Sequence, residues 1–233
     1  VSAAEPTPPY ATLGTAALLS VSGGFLDAFT YVGHGHVFAN AMTGNVVLLG
    51  VFGAAGQWAA AWRHVPPIVA FVLGVLAAQW MAGSAPSRRL RYPGLACLIV
   101  EILFLCGAAW LPPSFPDLWL VLGLSFVAAL QNSSFPKVED WAYNSVMTTG
   151  NLRRFAEGLF LLLQAPPQRS EGLRQARAFG VVCGHFLLGA ILGALCTTRL
   201  GNPALLIPAL LLGLVLLRIV RGMRAGKPGI VTT

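Results

Sequence analysis

Eight apolar runs organise the chain: Leu13–Val32, Val37–Ala61, Ile68–Gly83, Leu95–Leu111, Leu118–Leu130, Val146–Ala165, Ala178–Thr197 and Ala204–Val220. They are too long and too continuous for the alternating strands of a barrel, so the pattern predicts helices. Prolines punctuate the runs at Pro66-Pro67, Pro86, Pro93, Pro112-Pro113, Pro136, Pro166-Pro167 and Pro203, where they start or stop helices. The second and sixth runs are the weakest. One opens with His34, His36, Asn40, Thr43 and Asn45; the other opens with Asn144, Thr148, Thr149 and Asn151 and carries Arg153 and Arg154.

Those two weak runs form an internal repeat. Asp27 is followed fifteen residues on by Met42-Thr43-Gly44-Asn45, and Asn132 fifteen residues on by Met147-Thr148-Thr149-Gly150-Asn151. Later, Phe71-Val72-Leu73-Gly74 is echoed by Phe186-Leu187-Leu188-Gly189. The pattern divides one integral membrane domain into two repeats, 1–112 and 113–233.

Composition narrows the class. Of 233 residues, 56% are hydrophobic and only 10% charged. A water-soluble domain carries about 25% charged residues, so a soluble enzyme and a disordered chain are both excluded. The class is an all-α polytopic membrane protein. The net charge of +7 reads as cytoplasmic loops and not as nucleic-acid binding. If all eight runs cross, the basic residues divide almost evenly between the two sides. If the two Thr-Gly-Asn segments are re-entrant, six runs cross. One side then holds thirteen basic residues (Arg88, Arg89, Arg91, Lys137, Arg153, Arg154, Arg169, Arg174, Arg177, Arg218, Arg221, Arg224 and Lys227), and the other holds Arg63 and Arg199. That asymmetry favours six crossings plus two broken or re-entrant helices, as two inverted repeats with both termini cytoplasmic. Seven or eight full spans are the alternative. Arg153 and Arg154 lie just past the second motif and need water or an anionic partner; Glu157, four residues after Arg153, is the expected one.

Gly24-Phe25-Leu26-Asp27-Ala28 followed by Met42-Thr43-Gly44-Asn45 resembles the opening of the YoaK family of bacterial membrane proteins. Leu130-Gln131-Asn132 with Thr148-Thr149-Gly150-Asn151 is similar to that family's second block. The resemblance runs from about Leu13 to Val220 and implies the fold and a bacterial inner-membrane location. It implies no activity.

Asp27, in the middle of the first run, is the leading candidate. A carboxylate in hydrocarbon costs roughly 2.5–3.5 kcal/mol on insertion scales, so it either serves a solute, ion or proton or caps a neighbouring turn. Thr43, Gly44 and Asn45, with Thr149, Gly150 and Asn151, form the two turns. Glycine permits a tight or left-handed backbone, and the polar side chains can accept from helix N–H groups. The positive end of a broken helix suits an anion or a carboxylate. The counterpart of Asp27, Asn132, is neutral, which confines any charge function to the first half; Gln131 and Asn132 can hydrogen-bond a substrate from the opposite side, and Glu101 and His185 are candidate relays. His34 and His36 read as an interfacial loop pair. The six tryptophans read as interface anchors. Gly189-Ala190-Ile191-Leu192-Gly193 is a small-residue face for packing within the bundle or for a homodimer. Cys97, Cys106, Cys183 and Cys196 sit in apolar runs without ligand spacing, and no metal or cofactor is expected. The stretch Val1–Pro9 lacks the basic region of a signal peptide. With no catalytic motif, the chain reads as a non-enzyme: a small-solute transporter, proton-coupled through Asp27. A passive channel and a non-transporting scaffold or sensor are the alternatives.

Overall fold

The computed structural model describes residues 10–83 and 92–224. The basic trio Arg88, Arg89 and Arg91, Pro86, Lys227 and the Val1–Pro9 stretch therefore lie outside the described residues. Within them the order is α1 (Leu13–Gly33), α2 (Met42–Ala54), α3 (Trp58–Trp62), α4 (Val65–Ala82), α5 (Pro93–Ala108), α6 (Asp117–Ser134), a hairpin of β1 (Lys137–Val138) and β2 (Trp141–Ala142), α7 (Thr148–Leu161), α8 (Gln168–Leu200), a 3-10 turn (Asn202–Leu205) and α9 (Leu206–Arg224). Local chemistry sets the boundaries. Thr12 caps α1 by accepting from the Thr15 N–H at 3.3 Å, and prolines occupy the first turns of α4 and α5, where a missing N–H costs nothing.

Four stretches are long and apolar enough to cross a bilayer: Leu13–Gly33, Trp58–Ala82, Gln168–Leu200 and Asn202–Met223. The chain is a helical membrane protein. The expected second run, Val37–Ala61, breaks into α2 and α3 because Gly56 takes a left-handed backbone with φ of 71°, which glycine adopts without a Cβ clash. α2 has 13 residues and α7 has 14, about 20 Å each at 1.5 Å per residue, short of the roughly 30 Å hydrocarbon core. α8 runs ten residues further towards its N-terminus than the apolar run suggests. Its added turns carry Arg169, Glu171, Arg174 and Arg177 on the exposed surface.

Two close helix pairs organise the bundle. α1 and α8 run parallel. A methyl added at Gly24 would collide with the Phe186 carbonyl, one at Gly189 with the Val21 carbonyl, and one at Gly193 would lie 2.5 Å from the Phe25 carbonyl oxygen. The small-residue face of α8 is thus spent inside the bundle. α4 and α6 pair likewise, a methyl at Gly74 falling 2.5 Å from the Phe126 carbonyl oxygen. Val21 and Phe126 are separated by the same 105 residues as Asp27 and Asn132, and Gly74 and Gly189 are the two glycines of the Phe-x-x-Gly echo. One contact therefore occurs twice, and each time it joins opposite halves of the chain.

Directions follow from the ends. His34, just past α1, bonds Asp117 at the start of α6 at 2.7 Å, while Tyr10, before α1, packs edge-on against Phe135, just past α6, at 5.5 Å. α6 is antiparallel to α1. α5 and α9 fill the remaining side: Leu98, Leu105, Leu212, Val215 and Ile219 share a core with Leu19, Phe25 and Phe29 of α1 and Leu120 and Leu124 of α6. The outer surface is apolar, and Trp58, Trp62, Trp80, Trp110 and Trp119 are exposed there near helix ends. Trp141 departs from the anchor reading. It packs on Phe179 and lies under the Arg174 guanidinium.

Candidate functional site

Asp27 sits about two-thirds of the way along α1 and is 5% exposed. Its Oδ1 accepts from the backbone N–H of Asn40 at 2.7 Å and of Ala41 at 3.2 Å. One turn on, Thr30 Oγ1 accepts from the Ala39 N–H at 3.1 Å. Asn40 reaches back, its Nδ2 donating to the Gly23 carbonyl at 3.2 Å. The chain leaving α1 is thereby folded back along it, and α2 starts beside Asp27. The first turn of a helix leaves N–H groups unpaired and positive; the carboxylate that answers them here is the protein's own.

The asparagines of the two motifs do one job, twice. Asn45 Oδ1 accepts from the Phe38 N–H at 3.0 Å, and its Nδ2 donates to the Phe38 carbonyl at 2.8 Å. Asn151 does the same to Asn144, at 3.4 Å and 2.6 Å. Both latches span seven residues. A carboxamide closes both backbone groups of one residue because it carries a donor and an acceptor side by side. The first latch has a further partner: His64 Nδ1 lies 3.3 Å from Asn45 Oδ1, which can only accept, so that nitrogen carries the proton. His64 is 2% exposed and stacks on Phe52.

Thr43, Gly44, Thr149 and Gly150 do not make the turns. They lie in the first turns of α2 and α7, Thr43 and Thr149 are exposed, and neither glycine has a positive φ. The interruptions lie earlier, at Phe38–Ala41 and Asn144–Met147, and neither helix has a side-chain N-cap bond from its own N-cap residue.

The two interruptions meet at Gly23. Asn40 bonds its carbonyl from one side, and on the other a methyl at Gly23 would fall 2.9 Å from the Ser145 carbonyl oxygen and 3.0 Å from Val146 Cγ1. In the second half, Asn144 Oδ1 accepts from the Val146 N–H at 2.9 Å. That local cap replaces the long-range carboxylate of the first half. Asn132, the counterpart of Asp27, is half-buried and its side chain makes no hydrogen bond among the described residues. Several buried atoms near this junction also lack a partner among the described residues: Asp27 Oδ2, Asn40 Oδ1, Ser145 Oγ and, on α1, Ser20 Oγ and Ser22 Oγ.

Glu101 and Gln131 are brought together. With the amide turned to face the carboxylate, Gln131 Nε2 lies 2.9 Å and 2.8 Å from the two Glu101 oxygens, at 2% and 0% exposure. His185 is held by its own helix, Nδ1 to the Val181 carbonyl at 2.8 Å, and bonds neither Asp27 nor Glu101. Arg153 is exposed and pairs with Glu157 at 2.9 Å, so it needs no deep partner. His36 bonds the Tyr31 carbonyl while His34 bonds Asp117; the two imidazoles do not converge. Asn40, Ser145 and His64 carry no signature in the sequence beyond one spacing: each of the first two lies thirteen residues after Asp27 or Asn132. Surface clefts of about 300 and 400 Å³ flank Arg174 at the hairpin, lined by Glu139, Asp140 and Trp141 among others, away from Asp27.

The profile of a family described as a protein of unknown function, DUF1275, matches residues 15–218. The chain belongs to this family. It is similar to the UPF0700 transmembrane protein YoaK of Bacillus subtilis (strain 168), with 26% identity over 200 residues covering 84% of this chain and 88% of that protein. No solved structure matches. Of the motif residues, the geometry gives Asp27, Asn45 and Asn151 defined tasks.

Proposed function

We propose that this family member is a small-solute transporter of the bacterial inner membrane, proton-coupled through Asp27, with its site where the two interrupted segments meet. In this reading six helices cross (α1, α3 with α4, α5, α6, α8 and α9). α2 dips in and returns on the side where α1 ends, and α7 on the side where α1 begins. The halves are inverted about the bilayer midplane, both termini are cytoplasmic, and no catalytic step is assigned.

The observation that carries the reading is the meeting of Asn40 and Ser145 at Gly23. The second interruption is approached from the hairpin, whose Glu139 N–H donates to the Ala11 carbonyl at 2.6 Å. The chain then passes Tyr143, packed by Ala16, and reaches Gly23. α7 turns back along α8, with Phe155 against Gly180 and Gly158 against Ala176. The first interruption starts from the opposite end of α1. Irregular backbone at membrane depth is tolerated where protein or a water-filled pathway receives it, and paired interruptions at a repeat interface are where secondary transporters hold their solutes.

Two measurements test this. Trp62→Cys and Trp141→Cys, in a background without native cysteines, should react with impermeant reagents from opposite faces; reaction from one face rejects the topology. In proteoliposomes carrying a pH dye, a panel of small amines, amino acids and monocarboxylates should include one that drives saturable proton movement. Asp27→Asn, which keeps an acceptor for the Asn40 and Ala41 amides, should abolish that movement. Equal flux removes the coupling role, non-saturable conduction indicates a channel, and no flux of any solute indicates a scaffold.

A further inference from the structure

Resting on the two-interruption site above, we infer that its ligand is a small cation, an alkali ion or an ammonium group, held by Asp27 Oδ2 and Asn40 Oδ1 with the Ser145 hydroxyl. The argument is an inventory of donors and acceptors. At the first interruption every backbone N–H from residue 38 to 42 is engaged. Phe38 gives its N–H to Asn45, Ala39 to Thr30, Asn40 and Ala41 to Asp27, and Met42 to the Asn40 carbonyl at 2.8 Å. At the second, the Asn144 and Val146 N–H groups are taken by Asn151 and Asn144. At the first interruption the amides that would attract an anion are answered within the chain, two of them by the Asp27 carboxylate.

The unspent capacity has the opposite sign. Asp27 Oδ2 and Asn40 Oδ1 can only accept in their charged and amide forms. Both residues are at least nine-tenths buried, at 5% and 1% exposure, and neither oxygen has a partner among the described residues. The Asn40 amide is oriented by its bond to the Gly23 carbonyl, so its oxygen is fixed. The Ser145 carbonyl lies against the same glycine, and the side chain of that residue, 1% exposed, adds a buried hydroxyl. Among the described residues no lysine, arginine or histidine forms an ion pair with Asp27. A carboxylate buried without a counter-charge is balanced by a cation or by hydrogen-bond donors, and carboxylate, amide and hydroxyl oxygens are a hard-cation donor set.

The test is a thermal-shift titration of the purified full chain at constant ionic strength. Sodium, potassium, ammonium and methylammonium chlorides are compared with N-methyl-D-glucamine chloride, then sodium is held constant while chloride, formate and phosphate are exchanged. One small cation should raise Tm saturably, as ligand linkage requires, and the anion exchange should not. Asp27→Asn should abolish the shift, and Ser145→Ala, which leaves the Asp27–backbone bonds intact, should weaken cation affinity at least threefold. A shift with anions only, no shift with any of the four cations, or an unchanged affinity in both variants overturns the inference. If Asp27→Asn does not fold, the Ser145→Ala affinity decides. Cation binding without flux leaves this inference standing and rejects the transporter, whereas flux of a neutral or anionic solute without cation binding does the reverse.

Discussion

Gly193→Ala isolates the packing on which the site depends. The new methyl would sit 2.5 Å from the Phe25 carbonyl oxygen, 2.9 Å from Phe25 Cα and 3.1 Å from Ala28 Cβ. Ordinary carbon–oxygen contacts between close helices lie at about 3.3–3.6 Å, so α1 and α8 must part locally by about 0.8 Å. Two of the obstacles are backbone atoms and cannot rotate away. A gap of that size forfeits a quarter to a half of each dispersion contact it opens, and overpacking of this kind costs about 1–3 kcal/mol. The matched control is Gly184→Ala on the same helix, where an added methyl meets nothing within 4 Å. There the change gains about 0.5–1 kcal/mol of helix propensity and lost chain entropy. That gain is common to both variants, so they should differ by the overpacking cost, about 1–3 kcal/mol, or roughly 2–12 °C in Tm for a chain of this length. The assay is thermal unfolding in detergent, followed by loss of monodisperse protein on size-exclusion chromatography. Equal melting of the two variants would refute the claim that backbone contact between α1 and α8 sets their spacing.

Asn151→Ala strips two hydrogen bonds from the Asn144 backbone and should cost about 1–3 kcal/mol, because a buried group is left unpaired; Asn45→Ala should cost at least as much, since His64 loses its partner too. Gly150→Ala, with nothing within 4 Å of the new methyl, should leave Tm unchanged or raised, and a large fall would show that the residue has a backbone task. Gln131→Leu should destabilise by about 2 kcal/mol or more by orphaning Glu101. The double variant Glu101→Leu with Gln131→Leu should recover most of that loss, giving a coupling of about 1–3 kcal/mol in a double-mutant cycle. Additive losses would show that the two side chains do not pair.

Much of the plan was legible because it is written in one dimension. Apolar runs and prolines mark the helices, and Met-Thr-Gly-Asn with its echo Met-Thr-Thr-Gly-Asn marks the two helices that open just after an interruption. The Arg153–Glu157 pair follows from helical spacing alone. The inward residue of each motif did not follow, because phase depends on where the helix begins. With α2 opening at Met42 and α7 at Thr148, Thr43, Thr149 and Gly150 turn outward, Gly44 faces the Phe38 ring, and Asn45 and Asn151 turn in. Glu101 and Gln131 were both visible as deep polar residues, but only the packing of α5 on α6 makes them partners. Asn40 and Ser145 look like ordinary loop residues until the chain is folded back onto Gly23.

The same comparison bears on why Asp27 has the neutral Asn132 as its counterpart in the sequence echo. Both interruptions need their first amides answered and one residue pinned by a carboxamide seven positions on. The first half answers its amides from a distance, with Asp27 on α1. The second half answers locally, with Asn144 inside the interruption itself, which leaves Asn132 without that work. A carboxylate at position 132 would find the Val146 N–H already taken by Asn144. The neutral asparagine is thus what the local cap permits. Structural capping at this junction leaves one carboxylate oxygen over, and among the described residues it belongs to Asp27 alone.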